Sequence, residues 1–268
     1  MASPHPPLLL RLLPERLRLS AWYRLYAGKH AAWPGLYAAA PLAYAPQVKL
    51  SLLPGDHISD QIAFTGFYEL GLTRRVVDLA RQGGTMVDIG ANLGYFSCLW
   101  AAGNPNNHCY AFEASPRNLD RLQTNIHRNG FDPNITLLPL AAGRAAGQLS
   151  FEVGPAEQTG WGGFTTDASA TSIAVEVVRV DQAIPADRPI DLLKIDIEGA
   201  DTWALMGCKA LLQPPLVKEI WYEQNKRRMK LLGIELDQAQ QFLADLGYRC
   251  TPQGDPTQDV VEWRAVPT

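Results

Sequence analysis

"MVDIGANLGYFS", residues 86 to 97, is an apolar run that ends in an acid and then breaks into glycines. Chains turn this way where a strand hands over to a helix around a nucleotide-like ligand. The stretch reads as a short buried strand, a turn from Gly90 to Gly94, and a helix opening at Tyr95. The same rhythm continues on both sides. Upstream, "FYELGLTRRVVDLARQG" (67–83) has apolar residues at helical spacing. Downstream, "HCYAFEAS" (108–115) predicts a second strand, and "PRNLDRLQTNIHRNG" (116–130) a helix with Ser115 as N-cap and Pro116 in its first turn. "ITLLPLAAG" (135–143) predicts a third strand.

The alternation lapses between about 144 and 181, where "QLSFEV" and "TSIAVEVVRVD" read as a hairpin joined by the glycine-rich stretch 154 to 167. It resumes with strand "IDLLKIDIEG" (190–199), helix "TWALMGCKALL", strand "VKEIWYEQN" (217–225) and helix "LDQAQQFLADLG". Two final strands, "YRCTPQ" and "VVEWRAV", close the chain. Strands alternating with helices predict an α/β fold whose mostly parallel sheet is covered on both faces, with an antiparallel edge. Residues 1–66 lack this rhythm and read as an N-terminal extension or lid on a Rossmann-like domain spanning 67–268.

The bulk properties narrow the field. The chain has 268 residues and a net charge of -3, enough for one sizeable core and without the basic excess of a general nucleic-acid binder. Four cysteines without a C-x-x-C pair argue against a disulfide framework or zinc site and for a reducing, cytoplasmic setting. No apolar stretch is long enough for a transmembrane segment. "PLLLRLLPERLRLSAWYRLY" (7–26) reads either as a helix packed on the main domain or as a basic amphipathic helix lying on a membrane.

The turn itself discriminates between ligands. In the register of G-x-G-x-x-G, the dinucleotide fingerprint, the three glycine positions hold Gly90, Asn92 and Tyr95. Two of three glycines are missing, and Asp88 at the strand end would repel a pyrophosphate. S-adenosylmethionine suits such a turn better, because its methionine end carries an ammonium and a sulfonium. Glu113 ends the next strand, at about the distance expected of an acid that accepts the hydroxyls of an adenosine ribose. Asp196 and Glu198, two apart at a later strand end, lie on one side of that strand and face the same crevice. Asp196, Glu223 and Asn225 form an all-oxygen set. That set suits a hard cation such as Mg²⁺ or, without metal, the orientation of a hydroxyl. His57 is a candidate general base, with a capping or surface histidine as the plainer reading. Tyr68 and Glu69 read as residues that close over the cofactor or simply pack. Trp161 in "TGWGGF" reads as a flap residue or a packed hairpin tip, and "NKRRMK" (225–230) as an anion-binding or solvated charge run.

Taken together, "VDIGANLGYFS", "YAFEASPRNLDRLQTNI" and "DLLKIDIEGAD" resemble the FkbM family of methyltransferases, and "GDHISDQIAFTGFYE" (55–69) resembles that family's lead-in. The resemblance spans about residues 55 to 250. It implies a class I methyltransferase sheet of seven strands and S-adenosylmethionine as donor. It also implies O-methylation of a sugar, glycan or secondary-metabolite hydroxyl. Carried across, Asp88, Gly90, Ala91, Asn92 and Gly94 would line the methionine end, and Glu113 with Ala114 the ribose. Ala141 and Ala142 would lie near the adenine, and Asp196 and Glu198 by the transferred methyl. Methylation of an amide or nucleobase nitrogen often goes with an Asn-Pro-Pro-Tyr-type loop where this chain has "IDIEG". Two other classes stay in view, a nicotinamide-dependent oxidoreductase and a non-catalytic Rossmann-like module.

Overall fold

The computed structural model describes residues 5–155, 157–165, 172–186, 188–213 and 216–268. The N-terminal region is a layer of short elements: α1 (Leu8–Leu12), α2 (Glu15–Leu25), α3 (Pro34–Ala38), the antiparallel pair β1 (Ala40–Pro41) and β2 (Lys49–Leu50), and α4 (His57–Thr65). One side of this layer is spent inward. Leu10, Trp22, Leu36, Leu42, Leu50 and Ile62 join a single core cluster with the helices of the main domain. The expected extension therefore has no separate core.

The domain follows as α5 (Leu70–Ala80), β3 (Thr85–Ile89), α6 (Tyr95–Gly103), β4 (His108–Phe112), α7 (Pro116–Arg128) and β5 (Ile135–Leu138). A small sheet comes next, from β6 (Ala141–Ala142), β7 (Gly147–Glu152), β8 (Gly163–Phe164) and β9 (Ser172–Val178). The last section runs α8 (Val180–Ala183), β10 (Leu192–Ile195), α9 (Asp201–Gly207), α10 (Lys209–Leu212), β11 (Ile220–Asn225), α11 (Lys226–Leu232), α12 (Gln238–Asp245), β12 (Tyr248–Pro252) and β13 (Val260–Pro267).

Seven strands form the main sheet in the order β12-β13-β11-β10-β3-β4-β5. From β11 to β5 every neighbour is parallel, while β13 runs antiparallel to both β11 and β12. This is the predicted sheet with its antiparallel edge. Alternation along the strands sends Met86, Cys109, Leu192 and Trp221 to one face, toward α5, α6 and the N-terminal layer. Val87, Phe112, Leu193 and Tyr222 go to the other, toward α9, α10 and α12. The chain order reverses between β3 and β10, so the crevice beyond their carboxyl ends is the topological switch point.

Three local expectations shift. "ITLLPLAAG" is two strands rather than one. Pro139 lies between them, and β6 leaves the main sheet to pair with β9 in the four-stranded sheet β6-β9-β7-β8. The helix read from Phe67 begins at Leu70, because Glu69 takes a left-handed φ of 41° and leaves Tyr68 and Glu69 ahead of it. Ser115 precedes α7 as expected, yet its side chain makes no cap bond; its backbone N–H donates to Glu113 instead. Of the stretch 154 to 167, residues 156, 166 and 167 lie outside the described residues, as does 171.

Candidate active site

The switch point opens into a cavity of about 850 Å³. Its floor is the turn after β3. Gly90 has φ +78°, and a Cβ there would sit 2.0 Å from the Asp196 carbonyl oxygen, so only glycine lets the ends of β3 and β10 approach. Asn92 is also left-handed, at φ 51°. Its backbone N–H donates to Glu113 Oε2 at 2.8 Å, while Ser115 N–H donates to Glu113 Oε1 at 2.7 Å. Burial raises the Glu113 carboxyl above its ordinary range, and those two backbone donors oppose the rise. Glu113 thus holds the turn in shape from the next strand.

The cavity wall contains many of the residues singled out in the sequence: His57, Gly90, Asn92, Glu113, Ala114, Ala141, Ala142, Asp196, Glu198, Glu223 and Asn225. Asp88, Ala91 and Gly94 are not part of it. Asp88 is wholly buried. Its Oδ2 accepts from Ser97 Oγ at 2.6 Å, and its Oδ1 lies 3.3 Å from Lys194 Nζ. It pairs with a lysine behind the cavity wall rather than lining the cavity itself. Gly94 opens α6, where a Cβ would strike Leu122.

Lys194 is the residue that sequence reasoning passed over. It is the ladder partner of Asp88 on the neighbouring strand. Its Nζ donates to Gly90 O at 2.9 Å and stands 3.6 Å from Asp196. Burial works against its charge, but Asp88, Asp196 and Glu69 outweigh it and push the ammonium above the usual lysine range. The available signal was a lysine inside an otherwise apolar strand.

Glu198 is held where few side chains go, at φ 55°, a conformation that costs on the order of 1–3 kcal/mol. Asn225 Nδ2 donates to its Oε2 at 3.1 Å, and Arg228 Nε lies 3.9 Å away. Burial first, then the Asp196 charge, push its carboxyl up to about 7. Asp201, at the start of α9, also reaches about 7 through burial and Asp196, and its Oδ1 accepts from the Glu223 backbone N–H. Burial, with Asp196 and Asp201, raises Glu223 well above the ordinary range.

The Mg²⁺ set is not assembled. Asn225 spends Oδ1 on the Arg228 backbone N–H, as N-cap of α11, and Nδ2 on Glu198. Among the described residues no three acidic, histidine or cysteine side chains converge to hold a metal. His57 begins α4, with Tyr23 Oη 3.2 Å from its Nε2 and its backbone N–H donated to Glu157 O. Asp56 ties the same corner together, accepting Ser59 N–H at 2.9 Å, Thr159 N–H at 2.7 Å and Thr159 Oγ1 at 2.9 Å. Arg228 donates to Trp161 O at 2.6 Å, so the "TGWGGF" stretch is fastened to α11 as well.

Residues 88–250, well over half of the chain, match the family described as Methyltransferase FkbM domain. The chain belongs to the FkbM methyltransferase family. No curated protein matches it. Among solved structures it resembles methyltransferase FkbM from Methylobacillus flagellatus KT, at 19% identity and a TM-score of 0.48 over 69% of this chain and 43% of that one. It also resembles precorrin-6y C5,15-methyltransferase from Geobacter metallireducens GS-15 (16% identity, TM-score 0.45, 75% and 90% of the two chains). A third likeness is to the SAH-bound Podospora anserina methyltransferase PaMTH1 (14% identity, TM-score 0.46, 75% and 80%). The FkbM assignment rests on the domain match, and the architecture on the strand order.

An FkbM methyltransferase implies S-adenosylmethionine as donor, and the cavity fits that molecule. Asn92 Oδ1, Asn118 Oδ1, Gln158 Oε1 and Glu223 Oε1 line it as buried acceptors without a hydrogen-bond partner among the described residues. Such groups call for donors. The cofactor offers an ammonium, two ribose hydroxyls and an adenine amino group, and carries no phosphate to meet the acids.

Proposed function

We propose that this chain transfers a methyl group from S-adenosylmethionine to a hydroxyl of a sugar, glycan or secondary metabolite. The observation that carries the reading is Glu198, a carboxyl raised to about 7 in the wall of the same cavity as the Gly90–Asn92 turn and Glu113. A base is most useful when its pKa lies near the working pH. Glu113 would receive the ribose hydroxyls, Asn92 and the Gly90 backbone the methionine end, and Ala141 and Ala142 the adenine. When bound, the cofactor supplies an electrophilic methyl on sulfur. The chain's own residues do the rest. Asp196 and Lys194 set the field at the strand end, Glu198 takes the hydroxyl proton, and the 157–164 wall excludes water. His57 is the second candidate for that proton.

Proton removal by a carboxylate needs no cation, so turnover is expected to persist in excess chelator; loss of activity there would restore the metal reading. The net charge of -3 and the four free thiols support a cytoplasmic enzyme that acts on a small molecule or glycan rather than on nucleic acid. Calorimetric titration is the test. S-adenosylmethionine is expected to bind and NAD not to; the reverse would return the site to the oxidoreductase class. Glu198→Gln should lower kcat about 100-fold or more, a larger effect than on donor affinity. An unchanged kcat would move the base elsewhere, with His57→Gln the next variant.

A further inference from the structure

Six of the eleven exposed large hydrophobic side chains among the described residues lie on or beside α1 and α2, within residues 8 to 25. The inner faces of these helices are used. Leu10 and Trp22 are buried, and Leu19 and Tyr26 pack on the core. The outer face is apolar too. Leu8 is 65% exposed, Leu12 75%, Leu17 48% and Tyr23 50%. A helix with apolar residues on both sides has one side in search of a partner.

The charges on that face are of one sign. Arg11, Arg16 and Arg24 are exposed and make no ion pair among the described residues, whereas Arg18 is turned inward onto the carbonyls of Leu13 and Thr65. Glu15 is the only acid before Asp56, and it is committed to Tyr44 and Arg74. A net-negative protein thus presents leucines interleaved with unpaired arginines. Three more exposed apolar residues, Trp161, Leu231 and Val260, line the active-site cavity. The two regions are joined: Tyr23 bonds His57 of the cavity wall, and His57 N–H bonds Glu157, at the start of the segment carrying Trp161.

We propose that the outer face of α1 and α2 docks on an anionic lipid surface. The leucines and Tyr23 enter the headgroup layer, and Arg11, Arg16 and Arg24 meet the lipid phosphates. Opposite charge argues for lipid over a second copy of this chain, which would bring the same arginines against themselves. Through the Tyr23–His57 contact the docked helix touches the cavity wall. The docking stands independently of the methyl-transfer reading.

Co-sedimentation of the full chain with phosphatidylcholine vesicles, with and without phosphatidylglycerol, is the test. The chain is expected to sediment with the anionic vesicles only, and less so as salt rises. Leu8→Glu/Leu12→Glu should leave it in the supernatant. Arg11→Ser/Arg16→Ser/Arg24→Ser should weaken binding roughly 100-fold, about fivefold per arginine. All five positions are on the surface, and an unchanged Tm verifies that the variants fold. A wild-type chain that stays in the supernatant at low salt, or variants that sediment like wild type, would overturn the proposal. Self-association abolished by Leu8→Glu/Leu12→Glu, without lipid binding, would overturn it in favour of a second copy.

Discussion

Lys194 stands between Asp88 and Asp196 with its aliphatic stem buried and its ammonium 5.5 Å from the Phe96 ring centroid. Removing one partner of a buried pair strands the other, so Lys194→Met is expected to cost roughly 3–5 kcal/mol of stability. Asp88→Asn/Lys194→Met should recover much of that loss, because the wholly buried carboxylate is then gone and the remaining one, Asp196, is partly solvated. Urea unfolding of the two variants checks both, and equal losses would remove the pairing as the cause. At the ribose side, Glu113→Ala is expected to weaken S-adenosylmethionine binding by about 1.5–3 kcal/mol, read by calorimetry. That Glu113 and Glu198 line the crevice was legible in the sequence, because the strand ends of an open α/β sheet face it. That Asp88 pairs with Lys194 was not. Its sign was visible, but the neighbour that neutralises it lies 106 residues away and one strand over. A linear pattern carries no information about that pairing.

At the scale of elements, the strands and most helices could be read from periodicity, since apolar runs bounded by glycines leave few alternatives. What escaped were the places where backbone conformation or tertiary pairing overrides the pattern. The left-handed Glu69 delays α5, and β6 leaves the main sheet for β9. The hairpin insertion was visible, but not that it would join β6 in a sheet of its own. Another unread device is Glu219, buried on the edge of β11. It accepts from Arg75 of α5 at 2.9 and 2.6 Å, from Arg264 of β13 at 2.9 Å and from Trp221 Nε1 at 2.7 Å. Burial opposes its charge, yet these donors hold its carboxyl at about 2. Glu219→Ala, which leaves two arginines without their acceptor, is expected to cost about 3 kcal/mol, seen as a lower urea midpoint with no change in donor affinity.

For the molecule as a whole, the acids around the switch point set a pH dependence. Glu198, Asp201 and Glu262 all stand near 7 in the folded chain, each raised by burial and then by Asp196. Each keeps a proton at pH values where the unfolded chain has released it, so the folded state binds more protons. The stability they contribute is complete below the ordinary carboxylate range and is lost as pH rises through about 7. Without ligand, Tm is therefore expected to fall between pH 5 and 8. A cationic donor favours the ionised carboxylates. Binding should release protons and tighten over the same window, measured by calorimetry in buffers of different ionisation enthalpy. Uptake of protons would contradict the site's charge logic.

One corner of that site has a kinetic meaning. At one corner of the cavity wall two segments a hundred residues apart meet, and a single buried carboxylate, Asp56, holds Thr159 by both its amide and its hydroxyl. Any widening of the cavity at this corner breaks both bonds at once, so Asp56→Ala is expected to quicken hydrogen exchange at the Thr159 amide. Were exit of the product to need that opening, the latch would share control of the pace with the methyl transfer.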